Sequence, residues 1–106
     1  MAGQERFRFG ELTFVWDANK NRANALKHRV AFEEAATTWL DPMAIERFDQ
    51  EHSRQEGRWF RIGLSLRSAL LVSWWTLRHE RGEELIRLIG ARRATRSEWR
   101  LYEKEK

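Results

Sequence analysis

The sequence predicts an α+β domain, with two N-terminal helices packed on a mainly antiparallel sheet of about four to five strands and a helix at the C-terminus. Three observations carry this. One apolar run, Leu12-Thr13-Phe14-Val15-Trp16, precedes two stretches of helical periodicity. Four more stretches rich in β-branched and aromatic residues then follow, separated mostly by short polar breaks, as in strands joined to antiparallel neighbours. The chain closes on Thr95-Arg96-Ser97-Glu98, which has the spacing of a helix capping box. Helices gathered on one face of such a sheet define the α+β class.

Residues 1–11 are polar and are expected to be a flexible lead-in, leaving 12–106 as a single domain. Leu12–Trp16 is the first strand, and Asp17 is a good N-cap for the helix behind it. That helix is expected from Ala18 to Arg29, with Ala23, Leu26 and Val30 on its inner face. Lys20, Asn24, Lys27 and His28 form another stripe. It could grip RNA or a partner, although solvated helix faces commonly look the same. Phe32, Ala35, Ala36, Trp39 and Leu40 recur at i, i+3, i+4, i+7 and i+8 and make a second helix. Pro42, the sole proline, ends it.

Met43–Phe48 is the second strand, and 49–57 a polar loop containing His52, Ser53 and Glu56. Arg58–Leu66 alternates Phe60, Ile62 and Leu64 against Trp59, Arg61 and Ser65, as a half-buried strand does. Ala69–Leu77 is apolar on both faces and reads as a central strand. Its adjacent Trp74 and Trp75 must point to opposite sides. Residues 78–84 make a charged hairpin, and Leu85–Ala91 is the last strand. The final helix offers only Trp99, Leu101 and Tyr102 as large apolar residues, so it is expected to dock loosely.

At 106 residues, with six Trp and six Phe, the chain can bury one core of modest size. It has no cysteine, which removes disulfides and thiolate metal sites. No apolar run approaches the ~20 residues of a membrane span, and no signal peptide is visible, so a soluble, cytoplasmic protein is expected. Its 16 Arg greatly outnumber its 4 Lys. Arginine's planar fork binds phosphate bidentately and stacks on bases, although arginine-rich codon usage produces the same bias.

The charge is concentrated. The chain has a formal net charge of +4, and residues 87–100 alone hold five arginines (Arg87, Arg92, Arg93, Arg96, Arg100) against one acid, Glu98. This segment lies where the last strand meets the last helix, and helix starts favour anions. A phosphate site is the reading that follows.

Several motifs together resemble the BrnT toxins. They are Phe14-Val15-Trp16-Asp17 with Lys20, Asn24 and Lys27-His28; Val30 with Phe32-Glu33-Glu34-Ala35-Ala36; Asp41-Pro42; Asp49 with His52-Ser53; Glu56 and Arg58; Ile62-Gly63 with Ser65; Ile86-Arg87-Leu88-Ile89; and Ala91-Arg92-Arg93-Ala94. The likeness runs from about Phe14 to Tyr102. It implies a RelE-like fold and a ribonuclease toxin of a type II toxin–antitoxin pair. It further implies silencing by a BrnA-type antitoxin with a ribbon-helix-helix domain, the complex repressing its own promoter through operator DNA. Two positions depart from the family pattern. Arg29 stands where glycine is usual, and Gly90 where serine is common. An arginine would be strained if the first site needs positive φ.

Metal-free RNA cleavage needs a base for the 2′-hydroxyl, an acid for the leaving oxygen, and cations for the crowded phosphate. The three histidines lack ligand spacing, so metal-independent cleavage without a cofactor is expected. The candidate cations are Arg58, Arg78, Arg87, Arg92 and Arg93, and the candidate acids and bases are His28, His52, Glu56 and His79. Lys20, Lys27, His52, Arg93 and Arg96 are expected to contact RNA. Trp75, Trp99 and Tyr102 are expected to meet the antitoxin. The competing reading is a non-catalytic nucleic-acid- or partner-binding module of the same fold.

Overall fold

In the computed structural model, residues 3–52 and 56–105 are described, His52 by its backbone alone. Six strands form one sheet: β1 (Gln4–Phe9), β2 (Leu12–Asp17), β3 (Ile45–Phe48), β4 (Arg58–Leu64), β5 (Leu70–Glu80) and β6 (Glu83–Arg93). The helices are α1 (Ala18–His28), α2 (Phe32–Ala36) and α3 (Arg96–Glu105). The sheet order is β1-β2-β6-β5-β4-β3. All neighbours are antiparallel except β2 and β6, which run parallel through Phe14↔Ile86 and Val15↔Arg87.

The fold is α+β, but the sheet is larger and more mixed than the sequence suggested, and its helices occupy both faces. One core gathers Phe14, Trp16, Val30, Phe32, Ala35, Ala36, Leu71, Ile86, Leu88 and Ala91 under α2. The other gathers Ile45, Ile62, Leu70 and Val72 under Tyr102 of α3. Leu70, Leu71 and Val72 alternate between the two cores, as a strand covered on both sides requires. Trp74 joins the α3 side and Trp75 the α2 side, as their adjacency demands.

The N-terminal expectation needs correcting. Gln4–Phe9, within the segment expected to be flexible, pairs along its whole length with β2. Its alternation places Phe7 and Phe9 against the first core and leaves Arg6 and Arg8 at the alternate positions. The polar average of the segment hid that alternation.

The inner face of α1 also differs. Leu26 is 80% exposed, whereas Asn21 is buried. Asn21 accepts from the Phe32 amide (2.8 Å) and donates to Glu33 (2.9 Å). Asn24 donates to the Val30 and Ala91 carbonyls (2.9 and 2.8 Å) and accepts from the Ala91 amide (3.2 Å). Amides that satisfy backbone groups outweigh two small apolar faces here. The helix ends on Arg29 at φ 59, the left-handed cap where glycine is usual.

The second helix is α-helical only to Ala36 and tightens into a 3-10 turn over Thr37–Leu40. The Thr37 and Thr38 hydroxyls donate back to the Glu34 and Ala35 carbonyls (2.6 and 2.7 Å) and so take up acceptors of the last turn.

Helix α3 carries its expected capping box. The Thr95 amide donates to Glu98 (2.7 Å), and the Glu98 amide donates to the Thr95 hydroxyl (3.3 Å). Its thin apolar face is supplemented by two polar clamps. Arg92 makes a bidentate pair with Glu98 (2.7 and 2.8 Å), and the Tyr102 hydroxyl donates to Asp41 (2.7 Å). Arg47 of β3 also pairs with Glu105. A count of apolar residues sees none of these.

Candidate active site

Strand register builds the site. Arg58 of β4 lies opposite Thr76 of β5, which lies opposite Arg87 of β6. All three share the α3 face of the sheet, since Thr76 stands two residues from Trp74 on that face. Arg78, two residues further, extends the basic set along β5. A carboxylate attends two of these cations. Asp49 stands 3.9 Å from Arg58 Nε, and Glu56 stands 3.6 Å from Arg78 Nε. Among the described residues, the Arg87 side chain has no hydrogen-bond or ion-pair partner.

Thr76 sits between two arginines and is only 2% exposed, and its hydroxyl has no hydrogen-bond partner among the described residues. An orphaned buried hydroxyl costs roughly 1–3 kcal/mol. It lies in register between the two cationic side chains of Arg58 and Arg87. The sequence reading missed Thr76. The available signal was alternation along β5, which puts Thr76 on the same face as Trp74 and Arg78.

Arg92 lies on the same face, with its guanidinium carbon 5.2 Å from the centre of the Trp74 ring. Its bonds to Glu98 hold that carboxyl down to about 2, the Arg92 hydrogen bond being the largest cause, with burial opposing it and the Thr95 amide assisting. The same pair raises the Arg92 pKa. Arg92 therefore anchors α3 with its charge already met, whereas Arg87 keeps its charge available.

The other predicted residues form separate groups. Lys20, Lys27 and His28 do come together, lining a hollow of about 300 Å³ with Ala23, Asn24 and Ile89. Arg93 and Arg96 are exposed at the β6–α3 junction. The His52 side chain lies outside the described residues. His79 is exposed and stands 3.4 Å from Glu84, on the face of β5 opposite to Arg78, its neighbour in sequence.

The three aromatics expected to meet the antitoxin do not form one patch. Trp75 packs on the α2 side, stacked on Trp59 with ring centres 6.0 Å apart. Trp99 and Tyr102 lie on α3, across the sheet. Asp41, named from sequence only as part of the Asp41-Pro42 motif, receives the Tyr102 hydroxyl and the Leu64 and Met43 amides. Burial opposes ionisation of Asp41, but these donors outweigh it and its pKa is lowered.

Among the described residues, no three His, Asp or Glu side chains gather to hold a metal ion, and no helix is long and apolar enough to cross a membrane. A small α+β domain that concentrates arginines on one sheet face has the features of a protein handling phosphodiester chains. Residues 16–98 match the family described as ribonuclease toxin, BrnT, of type II toxin-antitoxin system. The chain belongs to that family, and thus to the ribonuclease toxins whose partner is an antitoxin. No curated protein matches the chain closely.

Proposed function

We propose that this protein is a metal-independent endoribonuclease whose scissile phosphate lies on the Arg58–Thr76–Arg87 row. The observation that carries the reading is the register bringing those three residues together, with Thr76 buried and its hydroxyl orphaned. The 2′-hydroxyl loses its proton to Glu56, which Arg78 holds nearby. The 2′-oxygen then bonds to phosphorus, and the bond from phosphorus to the 5′-oxygen breaks. Arg58, Arg78 and Arg87 stabilise the charge that develops on the phosphoryl oxygens. We assign protonation of the departing oxygen to His28, an imidazole able to give a proton, from the hollow it lines beside Ile89 of β6. Lys20, Lys27, His52, Arg93 and Arg96 hold flanking RNA.

The toxin acts in the cytoplasm, stops translation by cutting RNA, and is silenced by a BrnA-type antitoxin. The complex binds operator DNA through the antitoxin. Trp99 on one face of the sheet and Trp75 on the other offer separate apolar contacts, so an antitoxin meeting both wraps an edge.

The test is purified protein with RNA in excess EDTA. Products ending in a 2′,3′-cyclic phosphate or a 3′-phosphate are expected. Cleavage that requires added magnesium refutes the mechanism. A folded protein that binds RNA without cutting it supports the binding-module reading instead.

A further inference from the structure

We infer that the sheet next to the arginine row holds a nucleobase slot, opened by Gly90 and walled by Trp74, which Phe60 backs on its far side. This rests on the ribonuclease reading above and adds which part of the RNA is recognised.

Phe60, Trp74 and Gly90 lie opposite one another across β4, β5 and β6, in the row next to Arg58, Thr76 and Arg87. The rows are one pleat repeat apart, roughly 7 Å, within the reach of one nucleotide from its phosphate to its base. Both rows face the same side because of a bulge. Register shifts between Trp74 and Trp75, pairing Trp74 with Gly90 and Trp75 with Leu88, so that Ile89 is the extra residue. Without the bulge, Gly90 and Arg87, three residues apart, would face opposite sides.

Trp74 is half-buried and braced. Arg92 covers its ring at 5.2 Å, and Glu98 fixes the Arg92 fork with two hydrogen bonds. A ring held in this way is a ready stacking surface that need not be ordered on binding.

Gly90 keeps the slot clear. A Cβ built there meets nothing within 4 Å, and Gly90 is not among the residues at positive φ. The backbone therefore does not require glycine, and a glycine inside a strand costs stability. Gly63 is a different case, because its Cβ would lie 3.0 Å from Thr38 and 3.2 Å from Ala44. What glycine provides at 90 is empty space beside an indole, next to unpaired Arg87. Ile89, its neighbour, borders the Lys20–Lys27 hollow, which continues the basic track for the adjoining phosphate.

Base stacking on aromatics is largely indifferent to base identity. The slot therefore takes a purine or a pyrimidine and gives affinity rather than a strict code.

The experiment uses Gly90→Val, which adds a β-branched side chain in a strand with room for it and should leave the melting temperature unchanged or higher. Binding is measured with a 2′-O-methyl oligoribonucleotide, which cannot be cleaved through its 2′-oxygen, and with the same sugar–phosphate chain lacking bases. Wild-type protein should bind the base-bearing chain about tenfold more tightly. Gly90→Val should bind both chains alike, with affinity for the baseless chain unchanged. A folded Gly90→Val that keeps the wild-type preference overturns the slot. So does a wild-type protein with no preference. Either result leaves the ribonuclease reading intact, because cleavage of ordinary RNA in EDTA is scored separately on the same samples.

Discussion

Replacing Glu98 with Gln tests what holds α3 to the sheet. The substitution keeps an acceptor for the Thr95 amide but removes the negative charge that Arg92 grips through two bonds of 2.7 and 2.8 Å. Hydrogen bonds to charged groups contribute roughly 1.5–3 kcal/mol each. The Arg92 and Glu98 side chains keep 31% and 22% of their surface exposed, so solvent screens the pair. Losing a carboxylate from the first helical turn also forfeits about 0.3–1 kcal/mol of dipole interaction. A net loss of about 2 kcal/mol is expected after that screening. For a domain of this size it lowers the melting temperature by about 10 °C.

The pH dependence sharpens the test. Glu98 is held down to about 2 from an ordinary 4.5. A depressed carboxyl contributes stability that is full above its unfolded value and is lost as pH falls through its folded value. Glutamine does not titrate. The gap between wild type and variant should therefore be constant from pH 7 to about 5 and close between about 4.5 and 2. Thermal unfolding by circular dichroism reads the gap, and hydrogen exchange at pH 7 locates the loosened part in α3. A gap below 2 °C at pH 7, or one equally large at pH 2, would show that α3 is held by its apolar face alone.

The remaining expectations are these. Arg87→Ala should lower RNA cleavage about a hundredfold or more with little change in melting temperature, since no described residue pairs with Arg87; near-normal kcat/KM would remove it from the site. Thr76→Val should raise stability by about 1 kcal/mol by deleting an unpaired hydroxyl while slowing cleavage, and a protein that gains stability at full activity refutes the proposed contact. Arg29→Gly should stabilise by about 1 kcal/mol, because φ 59 strains a residue with a Cβ; a lower melting temperature would show that the arginine side chain matters more than the strain. Tyr102→Phe should cost about 1 kcal/mol through the lost bond to Asp41. In titration the wild-type phenol should ionise only near pH 12, raised chiefly by burial.

Local chemistry made several features legible in the sequence alone. The helical spacing of Phe32, Ala35 and Ala36, the capping box from Thr95 to Glu98, the alternation of β4 and the opposed faces of Trp74 and Trp75 all follow from periods of 3.6 and 2. Each depends only on neighbours in sequence, as does the concentration of arginines between Arg87 and Arg100. The motif likeness reached the family for the same reason, being read position by position.

The tertiary structure decided what depends on pairing. Whether Gln4–Phe9 is a strand depended on an edge of β2 being free to receive it. Whether Leu26 or Asn24 faces inward depended on the Ala91 backbone waiting beside α1. Arg92 and Arg87 are alike in sequence, five residues apart. Their difference comes from Glu98, which α3 brings back to Arg92 and not to Arg87. Thr76 became a candidate only when register set it between Arg58 and Arg87, because cross-strand neighbours are fixed by hydrogen bonding between distant segments and leave no local mark in the chain.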